Sequence, residues 1–245
     1  MLLLLLLPLN DALSAKQDYC SQGEGKTVLF LIDRTSAFDD QDKKNFANGV
    51  EVLFKQLQTG ERLIIHTLTE DFSGSKKIFD ACRPGCIEQG LVSGLFSQCR
   101  ASRAKVDERK YRLDVLTSVK PMILTQEKYP NSEIIETIAF IMQEYEQYKP
   151  ARLIIFSDMI EYSRLAKFGQ LKEKNIQTLL DKLDQLGLIK PMQGVEVDVL
   201  GFGRDHSAQR HGLKAELKRN IEQFWQAYFK RARVGRFHLG RNLNL

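Results

Sequence analysis

The chain has 245 residues and a mass of 28.1 kDa, above the commonest domain size of roughly 100–150 residues but within reach of one α/β unit. With 43% hydrophobic and 27% charged residues, 16 Gly and 6 Pro, its composition is that of an ordinary globular protein and excludes collagen-like, low-complexity and disordered classes. The net charge of +5 is unevenly placed: from Arg204 onward ten Lys/Arg face three Asp/Glu, leaving 26 against 28 before that point, which excludes a uniformly basic nucleic-acid binder.

The first nine residues, Met1, Leu2 to Leu7, Pro8 and Leu9, are apolar, far fewer than the roughly 20 that a membrane helix needs. They fit the apolar centre of a secretory signal, and Ala12, Ser14 and Ala15 supply the small residues of a cleavage site. Residues 1–15 are therefore expected to be an export signal, with contact to a membrane only through that segment and a periplasmic or secreted destination. No Lys or Arg precedes the run, so a buried element in a cytoplasmic protein is the alternative. The four cysteines, Cys20, Cys82, Cys86 and Cys99, suit two disulfides in any of three pairings. We favour Cys82 with Cys86 or Cys99 over a long-range pair through Cys20. Reduced thiols, or a zinc site needing a fourth ligand such as His66, are the other readings.

Thr27 to Ile32, Arg62 to Leu68 and Arg152 to Phe156 are short apolar runs rich in branched and aromatic residues, which read as strands covered on both faces. Val195 to Phe202 is a fourth, and Ser75 to Asp80 reads as a short edge strand reached by a hairpin through Phe72-Ser73-Gly74. Helical periodicity covers Asp42 to Gln58, Ala101 to Leu116, Ser132 to Tyr148, Leu171 to Leu186 and Gly212 to Arg233. Strands alternating with helices imply a three-layer, Rossmann-like α/β sandwich over residues 20–245: a mostly parallel central sheet, one antiparallel edge strand, and helices on both faces. In such sheets the carboxyl ends of the parallel strands share one rim, where ligands bind. The polar residues expected on that rim are Asp33, Arg34, Thr35, Ser36, His66, Thr67, Thr69, Ser157, Asp158, Arg204 and Asp205.

Asp33-Arg34-Thr35-Ser36-Ala37 after the first strand, with Ile154-Ile155-Phe156-Ser157-Asp158 ending a later one, resembles the von Willebrand factor type A (VWA) domain family. That resemblance implies a metal-ion-dependent adhesion site: Asp33 and Thr35 in its first motif, Ser132 in place of a Thr, with Thr137 and Ile138 following, and Asp158 as the last acidic position. Hydroxyls and carboxylates from three loops suit magnesium, which prefers six hard oxygens and keeps several waters; calcium or manganese are alternatives. The chain departs from the pattern at Ala37, which lacks the third motif oxygen and which Asp39 or Asp40 could replace, and at Met159, where a Gly is usual. The competing reading has Asp33 and Asp158 capping the helices after their strands and Ser132 as an ordinary N-cap.

Other signals are weaker. Gly23-Glu24-Gly25-Lys26-Thr27 precedes a strand instead of following one, which excludes a phosphate-binding P-loop. Ser157-Asp158 with His66 carries no hydrolase motif. Phe224, Trp225, Tyr228 and Phe229 lie among Lys and Arg in the last helix, but their spacing of threes and fours predicts packing on the sheet. The expected function is a non-enzymatic module that binds a protein partner at the rim; the alternative is a cytosolic nucleic-acid-associated factor using the basic C-terminus.

Overall fold

The computed structural model describes residues 18–22, 25–35, 38–87, 99–124, 129–204 and 211–240. Among these residues six strands form one sheet: β1 (Thr27–Asp33), β2 (Arg62–Leu68), β3 (Lys77–Cys82), β4 (Pro150–Phe156), β5 (Glu196–Leu200) and β6 (Arg236–Leu239). Their order is β3-β2-β1-β4-β5-β6, with only β3 antiparallel to its neighbour. Alternation along each strand feeds two cores. Leu29, Leu31, Leu153, Ile155, Val197 and Val199 face helices α3 (Ile134–Glu144), α4 (Glu173–Gln185) and α5 (Ala215–Arg231). Val28, Phe30, Ile32, Leu63, Ile65, Ile154 and Phe156 face α1 (Asp40–Gln56) and α2 (Ala101–Leu124). The chain is thus a three-layer α/β sandwich, and central strands covered on both sides explain the unbroken apolar runs.

The order reverses between β1 and β4. The chain moves outward from β1 through β2 to β3, then returns to β1's other edge and proceeds through β4, β5 and β6. At such a switch point the loops after two neighbouring parallel strands diverge to opposite faces and leave a crevice at their carboxyl ends. Register brings those ends level, with Ile32 beside Thr67 and Phe156, and Phe156 beside Leu200.

Several elements differ from the expectation. β3 begins two residues later than read, because Phe72–Gly74 is a turn of 3₁₀ helix and Thr67 already bonds Lys76 outside the ladder. α2 runs on to Leu124 with Pro121 in its final turn, where a missing amide matters less than it would mid-helix. α3 starts at Ile134 because Ser132 is held in a two-way backbone pairing with Tyr162, at 2.8 and 3.0 Å. β6 was not anticipated: four residues, Arg-Phe-His-Leu, give too short an alternation to distinguish from a tail. It is anchored by Arg236, which reaches the buried Asp198 at 3.1 Å and Glu196 at 2.7 Å.

The disulfides join Cys20 to Cys82 and Cys86 to Cys99. The long-range pair through Cys20 overturns the preference for a purely local partner of Cys82, and with all four thiols bonded the zinc and reduced-thiol readings fall as well. The physical reason is the path after β3. Arg83 exchanges backbone hydrogen bonds with Glu61 and Gly60, and its guanidinium binds the Phe54 and Leu57 carbonyls at the end of α1. That pins the chain along α1 and carries Cys86 away from Cys82. Cys82 instead turns toward Tyr19 and Ala104, beside the short helical turn Cys20–Gln22.

Candidate functional site

The crevice at the switch point gathers the four residues singled out in the sequence. Asp33 ends β1 and is buried. Its Oδ1 accepts from the Thr35 amide at 2.9 Å and the Thr35 hydroxyl at 2.7 Å, and its Oδ2 accepts from the Ser157 hydroxyl at 2.6 Å, 124 residues along the chain. The Thr35 hydroxyl is also 3.1 Å from Ser132 Oγ. Ser132 and Asp158 are both buried, and Asp158 turns its own loop by accepting from the Ile160 amide at 3.1 Å. Three separate loops, after β1, before α3 and after β4, therefore converge, and Ser157 joins Thr35 and Ser132 as a third hydroxyl-bearing position. Asp33, Asp42, Ser157, Asp158 and Gly201 line a small recess with Phe38 and Phe156. Gly201 has φ +94°, and a Cβ there would meet the Ser157 carbonyl oxygen at 3.3 Å, so any side chain would press on the loop carrying Asp158.

The electrostatics follow from burial. Removal from water, and then the nearby Asp158 carboxylate, push the Asp33 carboxyl up from its ordinary value, against the opposing pull of its hydrogen bonds from Ser157 and Thr35. Two buried carboxylates side by side favour a proton or a cation between them. The oxygens are all hard, from carboxylates and hydroxyls, which is the donor chemistry magnesium takes. Among the described residues no three His, Cys, Asp or Glu side chains form a metal-holding cluster, so any cation here would take its charge balance from Asp33 and Asp158 and complete its shell with hydroxyls and water.

Neither proposed substitute for the third motif oxygen enters the crevice. Asp39 is the N-cap of α1 and forms a capping box with Asp42; Arg204 binds both, reaching Asp42 at 3.0 Å. The Arg204 contact holds the Asp39 carboxyl down at about 2. Asp40 is fully exposed beside Lys43. Ser36, Ala37 and Asp205 lie outside the described residues. The capping alternative fails at two of its points: Asp39, not Asp33, caps α1, and Glu133 stands at the N-cap of α3, where Ser132 was expected. Met159 has φ +62°, the left-handed conformation for which glycine is usual, and its carbonyl is held by the Trp225 indole at 2.9 Å.

Two acidic residues at the site escaped the sequence reading. Asp42 had a signal, the Asp39-x-x-Asp42 spacing of a capping box. Glu161 had none. It is completely buried, accepts from the Ile135 amide at 3.0 Å, and so ties the loop after β4 to the first turn of α3, fixing Asp158 and Ser132 relative to one another. Desolvation raises its pKa from 4.5 to about 8. A folded value above the unfolded one contributes stability that is complete below pH 4.5 and is lost as pH rises through 8. Chemical denaturation at a series of pH values should show that decline, amounting to a few kcal/mol, and Glu161→Gln should flatten it. An unchanged slope in the variant would place the titration elsewhere.

His66, also on the rim, has its ring nitrogens 3.2 Å from Ser75 Oγ and 3.1 Å from the Tyr145 hydroxyl, and burial lowers its pKa. Those contacts turn it away from Ser157 and Asp158. Phe224, Trp225, Tyr228 and Phe229 are buried against the sheet, so their rings do not form a stacking platform for bases.

Two disulfides are the pattern of a chain that matures in an oxidising environment. No helix among the described residues is long and apolar enough to cross a membrane. Compared with models of protein families and with curated proteins, the chain matches none.

Proposed function

We propose that this chain is an exported, periplasmic or secreted, non-enzymatic module of the VWA type, which holds a protein partner at the crevice between β1 and β4 through a divalent cation, magnesium in the first instance. The observation that carries the reading is the convergence of Asp33, Thr35, Ser132 and Asp158, from three loops, on the switch point of the sheet. Thr35 and Ser132 would offer direct hydroxyl ligands, Asp33 and Asp158 charge, and a position left open would accept a carboxylate of the partner. The export half rests on the apolar run at residues 1–9 and on the two disulfides.

Calorimetric titration of metal-stripped protein with magnesium or manganese tests the cation. Heat of binding and a melting temperature that falls on adding EDTA are expected; no heat and no EDTA effect would overturn the cation reading. Asp33→Asn should abolish the heat while changing stability by less than about 1 kcal/mol, because the amide oxygen still accepts from Thr35 and a buried charge is removed. A loss of several kcal/mol with titration heat intact would make Asp33 a structural residue.

A further inference from the structure

Helix α2 carries two apolar faces. At about 100° per residue, Ala104, Tyr111, Val115 and Val119 fall on one side and are buried in the protein. On the opposite side Val106, Leu113 and Leu124 fall within about 20° of one line, each roughly three-fifths exposed, with the half-exposed Leu116 beside them. These are four of the eight large hydrophobic residues that stand exposed among the described residues. Exposed apolar side chains scattered singly need no explanation, but a line of them along one helix does.

One flank of that line is cationic. The helix holds six Lys/Arg against three Asp/Glu. Three of the six, Arg103, Lys110 and Arg112, pair with the three acids. Lys105, Arg109 and Lys120 are exposed and, among the described residues, have no acidic partner. An apolar ridge edged by unneutralised cations matches a surface that offers hydrocarbon below a layer of negative charge. It does not match a second copy of itself, because pairing two α2 helices would bring those cations together.

We infer that the outward face of α2 is a peripheral docking surface for anionic lipid, with Val106, Leu113, Leu116 and Leu124 entering the headgroup boundary and Lys105, Arg109 and Lys120 meeting lipid phosphates or carboxylates. The inference rests on α2 alone and does not depend on the crevice.

Co-sedimentation of the full chain with vesicles of phosphatidylcholine, alone or mixed with phosphatidylglycerol, tests it. The apolar run at residues 1–9 is common to every variant, so differences between variants and between lipid compositions report on α2. Preferential binding to the anionic vesicles, weakened by salt, is expected. The double variant Lys105→Ala/Lys120→Ala should lower that affinity about thirtyfold, and Leu113→Glu should remove the preference. Leu186→Glu, at an exposed leucine on a different part of the surface, should leave it unchanged. Thermal melting verifies that each variant is folded, as expected for exposed positions. Equal binding to both compositions, or a Leu113→Glu protein that binds like the parent, overturns the inference. So does light scattering that finds a dimer dissociated by Leu113→Glu, which would assign the ridge to a second copy. Absence of binding to either vesicle also overturns it and leaves the face to an acidic helix of a protein partner.

Discussion

Replacing Trp225 with alanine is expected to destabilise the protein by about 5 kcal/mol, close to the whole stability of many domains. Trp225 is fully buried and packs against Phe168, Phe224, Tyr228 and Phe229 with ring centroids 5.1 to 5.9 Å apart. A cavity of that size among rings locked by one another cannot close, and Trp→Ala cavities cost about 3–5 kcal/mol. The lost indole donor adds about 1 kcal/mol by leaving the Met159 carbonyl without its partner. Met159 follows Asp158 and holds a left-handed backbone, so the same substitution loosens the loop that carries one of the site carboxylates. Trp225→Phe retains most of the volume and loses only the donor, and should cost about 1–2 kcal/mol. Urea midpoints for the three proteins test the order, and a loss below about 2 kcal/mol for the alanine variant would mean that the cluster collapses around the gap.

Removing the Cys20–Cys82 bond by serine substitution should cost about 4 kcal/mol, against about 3 kcal/mol for Cys86–Cys99, since the bonds span 62 and 13 residues and the gain grows with the logarithm of the enclosed loop. For a chain of this size that corresponds to a drop in melting temperature of roughly 10 °C for the longer link. The buried position of Cys82 beside Tyr19 and Ala104 means that serine there also puts a hydroxyl among apolar groups. Substituting Cys20 alone and Cys82 alone separates the two contributions. If loss of the shorter link proves the more damaging, loop entropy is not what governs these bonds.

The central strands were legible because burial on both faces writes an unbroken apolar signature, as in Thr27 to Ile32 and Arg62 to Leu68, whose observed bounds agree within a residue. Helix ends were less so. Ser132 looked like a helix start, and only its pairing with Tyr162, thirty residues on, excludes it from α3. Local propensity cannot report a long-range bridge. The same holds for Cys20: proximity along the chain favoured Cys82 with Cys86 or Cys99, whereas the course of β3 and the grip of Arg83 on α1 decided otherwise. At the crevice the four positions named from sequence do meet, because strand ends of a parallel sheet are forced onto one rim. Glu161 was illegible because nothing in its neighbourhood distinguishes an acid that solvent will cover from one that a helix end will bury.

The switch point also divides the chain in time. β1, β2 and β3 are complete by Cys82, and their partner half begins only at Pro150. If the chain is delivered from its N-terminus, the first three strands and the Cys20–Cys82 link can form while β1 still has an open edge awaiting β4. Asp33 then waits for Ser157 and Asp158, and Thr35 for Ser132, 97 residues away. The crevice is a late product of assembly, present only when both halves have closed along β1. The proposed cation site would thus exist only in the finished molecule, since a nascent or truncated chain lacks one side of the crevice.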